Sequence, residues 1–264
     1  MIFSYLHKQL VASKLFRDIG VERMKFLFKI FMLIVIIGLP SYTWAFQCGS
    51  HTSFGVPSSA DQLLCRQGYA LGYSYEHRGP EWVQYAVSKE SVEASCSSQP
   101  NFRNDRDIPE EYQSTNHDYT NSGYDRGHMA PRATIDFNCT SETESVLYSN
   151  ASPQDPGLNQ VGWKRLEDNV RGWAEQRQNL FIITGAIFLG NKRIRDRVSV
   201  PSHYYKIIYD PERKESISFI FPNEPLATYD LDKGIVTLSE ISSLSGHNLS
   251  MMFDVKKEYR VLNF

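Results

Sequence analysis

The sequence predicts one domain of mixed α and β structure. Three observations carry that expectation: aromatic and aliphatic runs of strand length bounded by turn residues, one stretch with apolar side chains at three- and four-residue spacing, and no repeat or Gly/Ser linker after residue 46. With 264 residues, 41% hydrophobic and 22% charged, the chain can bury one sizeable core, which excludes a disordered class.

The N-terminus is set aside first. After Met24, Lys25 and Lys29 lead into an apolar run from Ile30 to Leu39, and Thr43-Trp44-Ala45 supplies a small-x-small cleavage site. Residues 24–45 are therefore expected to be a signal peptide, cut to leave Phe46 first. The apolar run is about half of the ~20 residues a membrane-spanning helix needs, so a permanent anchor is the weaker reading. Residues 1–23 fit poorly before such a signal and are read as a misassigned extension, a long n-region being the alternative. The expected destination is the periplasm or the medium, with no stable membrane association after cleavage.

Cys48, Cys65, Cys96 and Cys139 all lie beyond that cleavage site, and an even count in an exported chain suggests two disulfides. Three pairings are open. Cys48–Cys65 with Cys96–Cys139 is favoured because the first two bracket one short segment. No C-x₂-C spacing points to zinc.

Strand signals follow at Gly68–Tyr75 and Trp82–Val87, separated by a turn at His77-Arg78-Gly79-Pro80. Ser97–Ser122 is polar, contains Pro109, and reads as a long loop of the kind that carries function. Leu166, Val170, Trp173 and Ala174 place a helix over Asn159–Gln178, approached through Pro156 and Gly157. Further strands are expected over Leu180–Leu189, Ser202–Tyr209 and Ser216–Phe221, the last two around a turn at Asp210-Pro211-Glu212-Arg213. A short helix at Leu238–Leu244 should stop at Gly246.

Chemistry concentrates in Asp125-Arg126-Gly127-His128, where a carboxylate, a guanidinium and an imidazole occupy four residues and Gly127 permits close backbone approach. A single histidine is usually a surface or hydrogen-bonded core residue. The second segment changes that reading: Tyr148-Ser149-Asn150-Ala151-Ser152-Pro153-Gln154, then Leu158-Asn159-Gln160, then Trp163-Lys164-Arg165-Leu166-Glu167 and Arg171. Together the two resemble the DNA/RNA non-specific endonucleases, densely over residues 100–190 and more loosely through Val200–Lys206 and Ile241–Gly246.

The resemblance implies an α+β fold, with a central, mainly antiparallel sheet flanked by helices and a ββα-metal catalytic element at residues 124–171. It also implies hydrolysis of DNA and RNA phosphodiesters to 5′-phosphate and 3′-hydroxyl ends, with magnesium as the cation and manganese able to substitute. Carried across, His128 is the general base, Asn159 the metal ligand, and Glu167 the acid that holds a metal-bound water. Asp125 is expected to orient groups around the metal waters, and Arg126 to hold a phosphate oxygen. Arg171 is a further candidate substrate contact. An upstream family arginine has no clean counterpart, which leaves Arg103 and Arg106 as alternatives.

Plainer readings stand beside these. Asn159 could cap a helix, Glu167 could be a solvated carboxylate paired with Arg171 at i+4, and Asp125 and Arg126 could form a local ion pair. On α-helical geometry, Asn159 and Glu167 would lie ~12 Å apart along the axis with ~80° of rotation, too far to ligate one ion together.

The charge balance is mildly adverse. The whole chain carries −2, and residues 1–45 hold six Lys/Arg and two Asp/Glu, so the remainder has 22 basic against 28 acidic residues. Phosphate contacts would then have to come from local clusters, Lys164, Arg165, Arg171 and Arg177 on the helix and Lys192, Arg193, Arg195 and Arg197 after a strand. No base-reading module is visible, so little sequence specificity is expected. The rivals are a nuclease restricted to one nucleic acid and an exported nucleic-acid-binding protein without catalysis. A homodimer and an inhibitor protein stay open as partners.

Overall fold

The computed structural model describes residues 48–264. The expected extension, signal peptide and new N-terminus at Phe46 lie outside the described residues. No helix among the described residues is long and apolar enough to cross a membrane.

The strands are β1 (Gln62–Cys65), β2 (Ala70–Ser74), β3 (Gly79–Ser88), β4 (Asp125–His128), β5 (Ala151–Gln154), β6 (Asn179–Ile187), β7 (Arg193–Ile194), β8 (Val198–Ser199), β9 (His203–Asp210), β10 (Glu215–Pro222), β11 (Ile235–Val236) and β12 (Lys257–Tyr259). The helices are α1 (Lys89–Glu93), α2 (Asn116–Tyr119), α3 (Arg132–Ile135), α4 (Cys139–Ser145), α5 (Lys164–Arg177) and α6 (Leu238–Ser245). The main sheet runs β1-β2-β3-β6-β9-β10, after which β10 takes β11 antiparallel and β12 parallel along different stretches of its length. Every other pairing in this sheet is antiparallel, as expected.

The sheet centre is covered on both faces, which is why β6 reads as a continuous apolar run rather than an alternating one. One face meets Trp163, Leu166, Val170, Trp173 and Ala174 of α5 and its approach, in a core that also takes in Met129, Ala130 and Ile135. The other meets Leu238 and Ile241 of α6 together with Leu249 and Phe253. Helix α6 begins with a Thr237/Glu240 capping box and ends at Gly246 in the left-handed region, φ 74°, as its sequence predicts.

Both favoured disulfides are present, Cys48–Cys65 and Cys96–Cys139, each with a Cα–Cα distance of 5.1 Å. The predicted long loop holds α2 and a short 3-10 turn at Glu110–Tyr112, and it is pinned from within. Buried Asp105 receives Arg66 at 2.6 Å, and buried Asp118 receives Arg197 at 3.1 Å.

Candidate active site

Strands β4 and β5 form a separate two-stranded ribbon, with Asp125 opposite Gln154 and His128 opposite Ala151. Gly127 makes the pairing possible, since a Cβ there would sit 2.2 Å from Oε1 of Gln154. The ribbon is tied to the main sheet through Tyr204 of β9, whose hydroxyl lies 2.7 Å from Ser152 Oγ and donates to the Pro153 carbonyl at 2.9 Å. Asn223 reinforces this, donating to the same carbonyl at 2.9 Å and accepting from the Asp155 N–H at 2.7 Å.

The chain turns sharply after His128, and buried Asn150 holds that turn. Its Oδ1 accepts from Ala130 N at 2.9 Å while its Nδ2 donates to the carbonyls of Ala130 and Ser145, so all its polar atoms are used. Asn150 stands in the quoted motif without a role there; its amide, fully buried, holds the turn that follows His128, a placement the sequence does not signal.

His128 makes no hydrogen bond to the described protein atoms. Its Nε2 is shut away from solvent without a partner, which leaves Nδ1 as the nitrogen that a water can reach. Burial, with a lesser push from nearby Arg132, lowers its pKa to about 4, so the ring is neutral at physiological pH. The imidazole leans on Phe102 (4.9 Å between centroids), and Phe102 in turn stacks on Tyr148 at 5.5 Å. Arg132, on α3 four residues after the histidine, was not singled out from the sequence.

Arg126 reaches the same aromatic wall. Its Nε donates to Tyr148 Oη at 3.3 Å and its Nη2 to Asn116 Oδ1 at 2.7 Å, so the loop expected to carry function supplies one side of the site. Nη1 keeps no partner among the described contacts and is free for an anion. Arg126 and Asp125 are thus not a local ion pair. Asp125 instead accepts from Asn159 Nδ2 at 2.9 Å and Gln160 Nε2 at 2.7 Å, both through Oδ2.

The helix predicted from Asn159 begins differently. Leu158–Trp163 is a π-helical turn, and α-helical geometry starts only at Lys164, so the axial separation expected between Asn159 and Glu167 does not apply. The turn is seated under Leu226, whose Cγ would be 2.5 Å from a Cβ on Gly162. Asp155 does the capping, its Oδ1 accepting from Gly157 N at 2.7 Å and Leu158 N at 3.3 Å. Asn159 is therefore not spent as a cap, and its Oδ1 accepts no bond from the described residues.

Glu167 is not a solvated carboxylate paired with Arg171. Arg171 pairs with Asp168 one turn back, and Glu167 faces the sheet, beside Trp163 and the buried ammonium of Lys206 on β9. Burial raises the Glu167 pKa against the pull of Lys206, and burial lowers that of Lys206 against the pull of Glu167. Lys206 also donates to Thr184 Oγ1 at 2.7 Å and lies 4.7 Å from the Trp163 ring centroid.

The expected basic clusters are divided by the fold. Arg177 is tied to Asp210 at 2.9 Å and Glu215 at 2.8 Å, and Lys164 to Asp168 at 3.1 Å. Arg193 and Arg195 donate to backbone carbonyls, at 3.0 and 2.9 Å, and Arg197 to Asp118. Neighbours in sequence here serve separate structural ends. Arg103 and Arg106 are both exposed; Arg103 bridges Leu147 through its backbone, directly after Phe102, whereas Arg106 has no described link to the site.

A single amide oxygen beside carboxylates is a hard-oxygen donor set, suited to a hydrated divalent cation. No group of three His, Cys, Asp or Glu among the described residues is placed to cage a metal.

The chain is 31% identical over 73% of its length to the human mitochondrial nuclease EXOG, of which the match takes in 58%, and 29% identical over 75% of its length to human mitochondrial endonuclease G, of which it takes in 72%. The crystal structure of an EndoG/EndoGI complex superposes with a TM-score of 0.71 at 26% identity, covering 78% of this chain and 93% of that one. Residues 48–256 match the DNA/RNA non-specific endonuclease family, and the chain belongs to it.

Proposed function

We propose that this chain is an exported, magnesium-dependent endonuclease that hydrolyses both DNA and RNA with little sequence specificity, leaving 5′-phosphate and 3′-hydroxyl ends. Manganese substitutes for magnesium. The observation that carries the reading is the four-residue strand β4, which presents a neutral imidazole, an arginine with an unspent Nη1, and the carboxylate that orients Asn159.

In this mechanism Arg126 holds a non-bridging oxygen of the scissile phosphate through Nη1. Neutral His128, its proton on Nε2, takes a proton from water at Nδ1 while the water oxygen attacks phosphorus in line; the P–O3′ bond opposite the attack breaks and the departing 3′ oxygen takes a proton from solvent. Asn159 Oδ1 would hold the cation directly, with Asp125 fixing the amide; the carboxylate of Glu167 would steady one of the cation's waters. When bound, such a cation supplies charge neutralisation at the phosphoryl and departing oxygens. Arg171 and Arg103 are secondary phosphate contacts, and Arg106 is the weaker alternative to Arg103.

Two disulfides support an oxidising destination, secreted or periplasmic. The EndoG structure seen with EndoGI supports an inhibitor protein as a partner here too. The deciding experiment is digestion of plasmid and RNA by the mature chain with magnesium and with chelator. Cleavage of both, abolished by chelation and restored by magnesium or manganese, is expected. Undiminished cleavage in excess chelator overturns the metal-dependent reading, and binding without cleavage favours the non-catalytic rival. The intact mass of exported protein tests the processing, with Phe46 expected first and no thiol alkylated without reduction.

A further inference from the structure

Two open depressions meet at Tyr124, the residue just before β4. One begins at Asp125 and Arg126 and runs past Tyr119 to the Tyr124 ring. The other, about 440 Å³ and within the size range of small-ligand sites, continues from Tyr124 to Lys192, Asn191, His203 and Leu189. Tyr124 is therefore a wall common to the depression that holds Arg126 and to the second basin. Tyr124 packs against the small cluster formed by Tyr119, Tyr148, Val198 and Val200, which holds it in place.

The basin's charge is specific. Arg193, Arg195 and Arg197 are each engaged elsewhere, whereas Lys192 makes no ion pair among the described residues; its ammonium lies 5.1 Å from the Tyr124 ring centroid. A cation resting on an aromatic face at that distance is weakly held, so an arriving phosphate can draw it aside and uncover the ring. Leu189, 57% exposed, gives the basin an apolar wall with no structural partner that would explain its exposure. Glu224 also lines the basin, and its carboxylate opposes a phosphate placed beside it.

We propose that this basin is a nucleotide subsite, taking the nucleotide next to the scissile phosphate with its base against Tyr124 and Leu189 and its own phosphate on Lys192. It rests on the nuclease reading and adds a substrate class to it: the base must leave its stack to reach Tyr124, so the subsite takes single-stranded or frayed nucleic acid. Stacking on an aromatic face tolerates any base, which gives affinity without sequence preference.

The test is binding of a fluorescein-labelled single-stranded DNA octamer by the full mature chain in chelator, where cleavage does not interfere, with each variant's thermal unfolding measured alongside. Tyr124→Leu, which keeps an apolar side chain but loses the ring, should weaken binding by about tenfold, and Tyr124→Phe should not. Octamers carrying one abasic residue, placed at each position in turn, should show one position where the parent loses about tenfold and Tyr124→Leu loses nothing further. Lys192→Ala should lower the salt slope by about 0.7, the loss of one phosphate contact to a single strand. Parental binding by Tyr124→Leu, or the same abasic penalties in both proteins, overturns the subsite. Plasmid cleavage is scored separately, so a chain that binds in this pattern without cutting would fault the catalytic reading and leave the subsite standing.

Discussion

Asn159 donates Nδ2 to Oδ2 of Asp125 over 2.9 Å, so the first residue of β4 fixes the rotamer of the amide in the π turn. Removing that acceptor frees the amide without touching its oxygen. Asp125→Ala should therefore raise the magnesium concentration for half-maximal activity by about 10–100-fold, the usual cost of losing a residue that orients a metal ligand. An unchanged magnesium titration in the folded variant counts against this coupling.

His128→Ala and Asn159→Ala should fail for different reasons. The first loses the proton acceptor and about 10²–10⁴-fold in rate, with nucleic-acid binding largely kept and residual activity still requiring metal. The second should be partly rescued by high magnesium. Parental turnover by folded His128→Ala across pH 6–9 would remove it as the base, and exposed His117, next to the Asn116 that holds Arg126, would be tested next.

The pH profile follows from burial. A base works deprotonated, and with its pKa lowered to about 4 His128 is already about nine-tenths neutral at pH 5, so kcat/KM should hold well below the ordinary histidine range. Arg132→Met removes the cation that contributes to this shift and should move the acid limb upward. Stability has the matching sign. The unfolded ring binds a proton below about 6.5 and the folded one only near 4, so this group's contribution falls as pH drops through that window. A limb that stays put in Arg132→Met would show that Arg132 does not act on His128.

Lys206 and Glu167 should be coupled in stability. Lys206→Met leaves a carboxylate facing the sheet without its cation, and Glu167→Gln leaves a fully buried ammonium without its anion. Each should lower stability in urea unfolding, with the double variant losing less than the sum by about 0.5 kcal/mol or more. Strict additivity would mean that the two charges do not interact.

The main strands and α6 were legible because their periods and turn residues agree with the environment they meet. β6 could be read from its unbroken apolar run, and α6 from its stop at Gly246. The short elements were not: β1, β11 and β12 have two to four residues each, too few for a period to show. His128 and Asn159 stood out through the resemblance, while Asn150, Arg132 and Lys206 did not. Their roles depend on which distant atoms the fold brings beside them, Ala130 and Ser145, the imidazole, and Glu167. The π turn was invisible because its residues fit an α pattern equally well.

The Cys96–Cys139 bond closes a covalent ring with a sequence separation of 43, and inside that ring lie Phe102, Asn116, Arg126, His128 and Arg132. Asn159 and Glu167 lie outside it. Heat or denaturant that melts the sheet therefore scatters the two halves of the site unequally: the histidine and its aromatic and arginine neighbours stay on one tethered loop, and their search for one another on refolding is short. The segment beginning at Leu158 has no such tether and joins that loop from outside the ring.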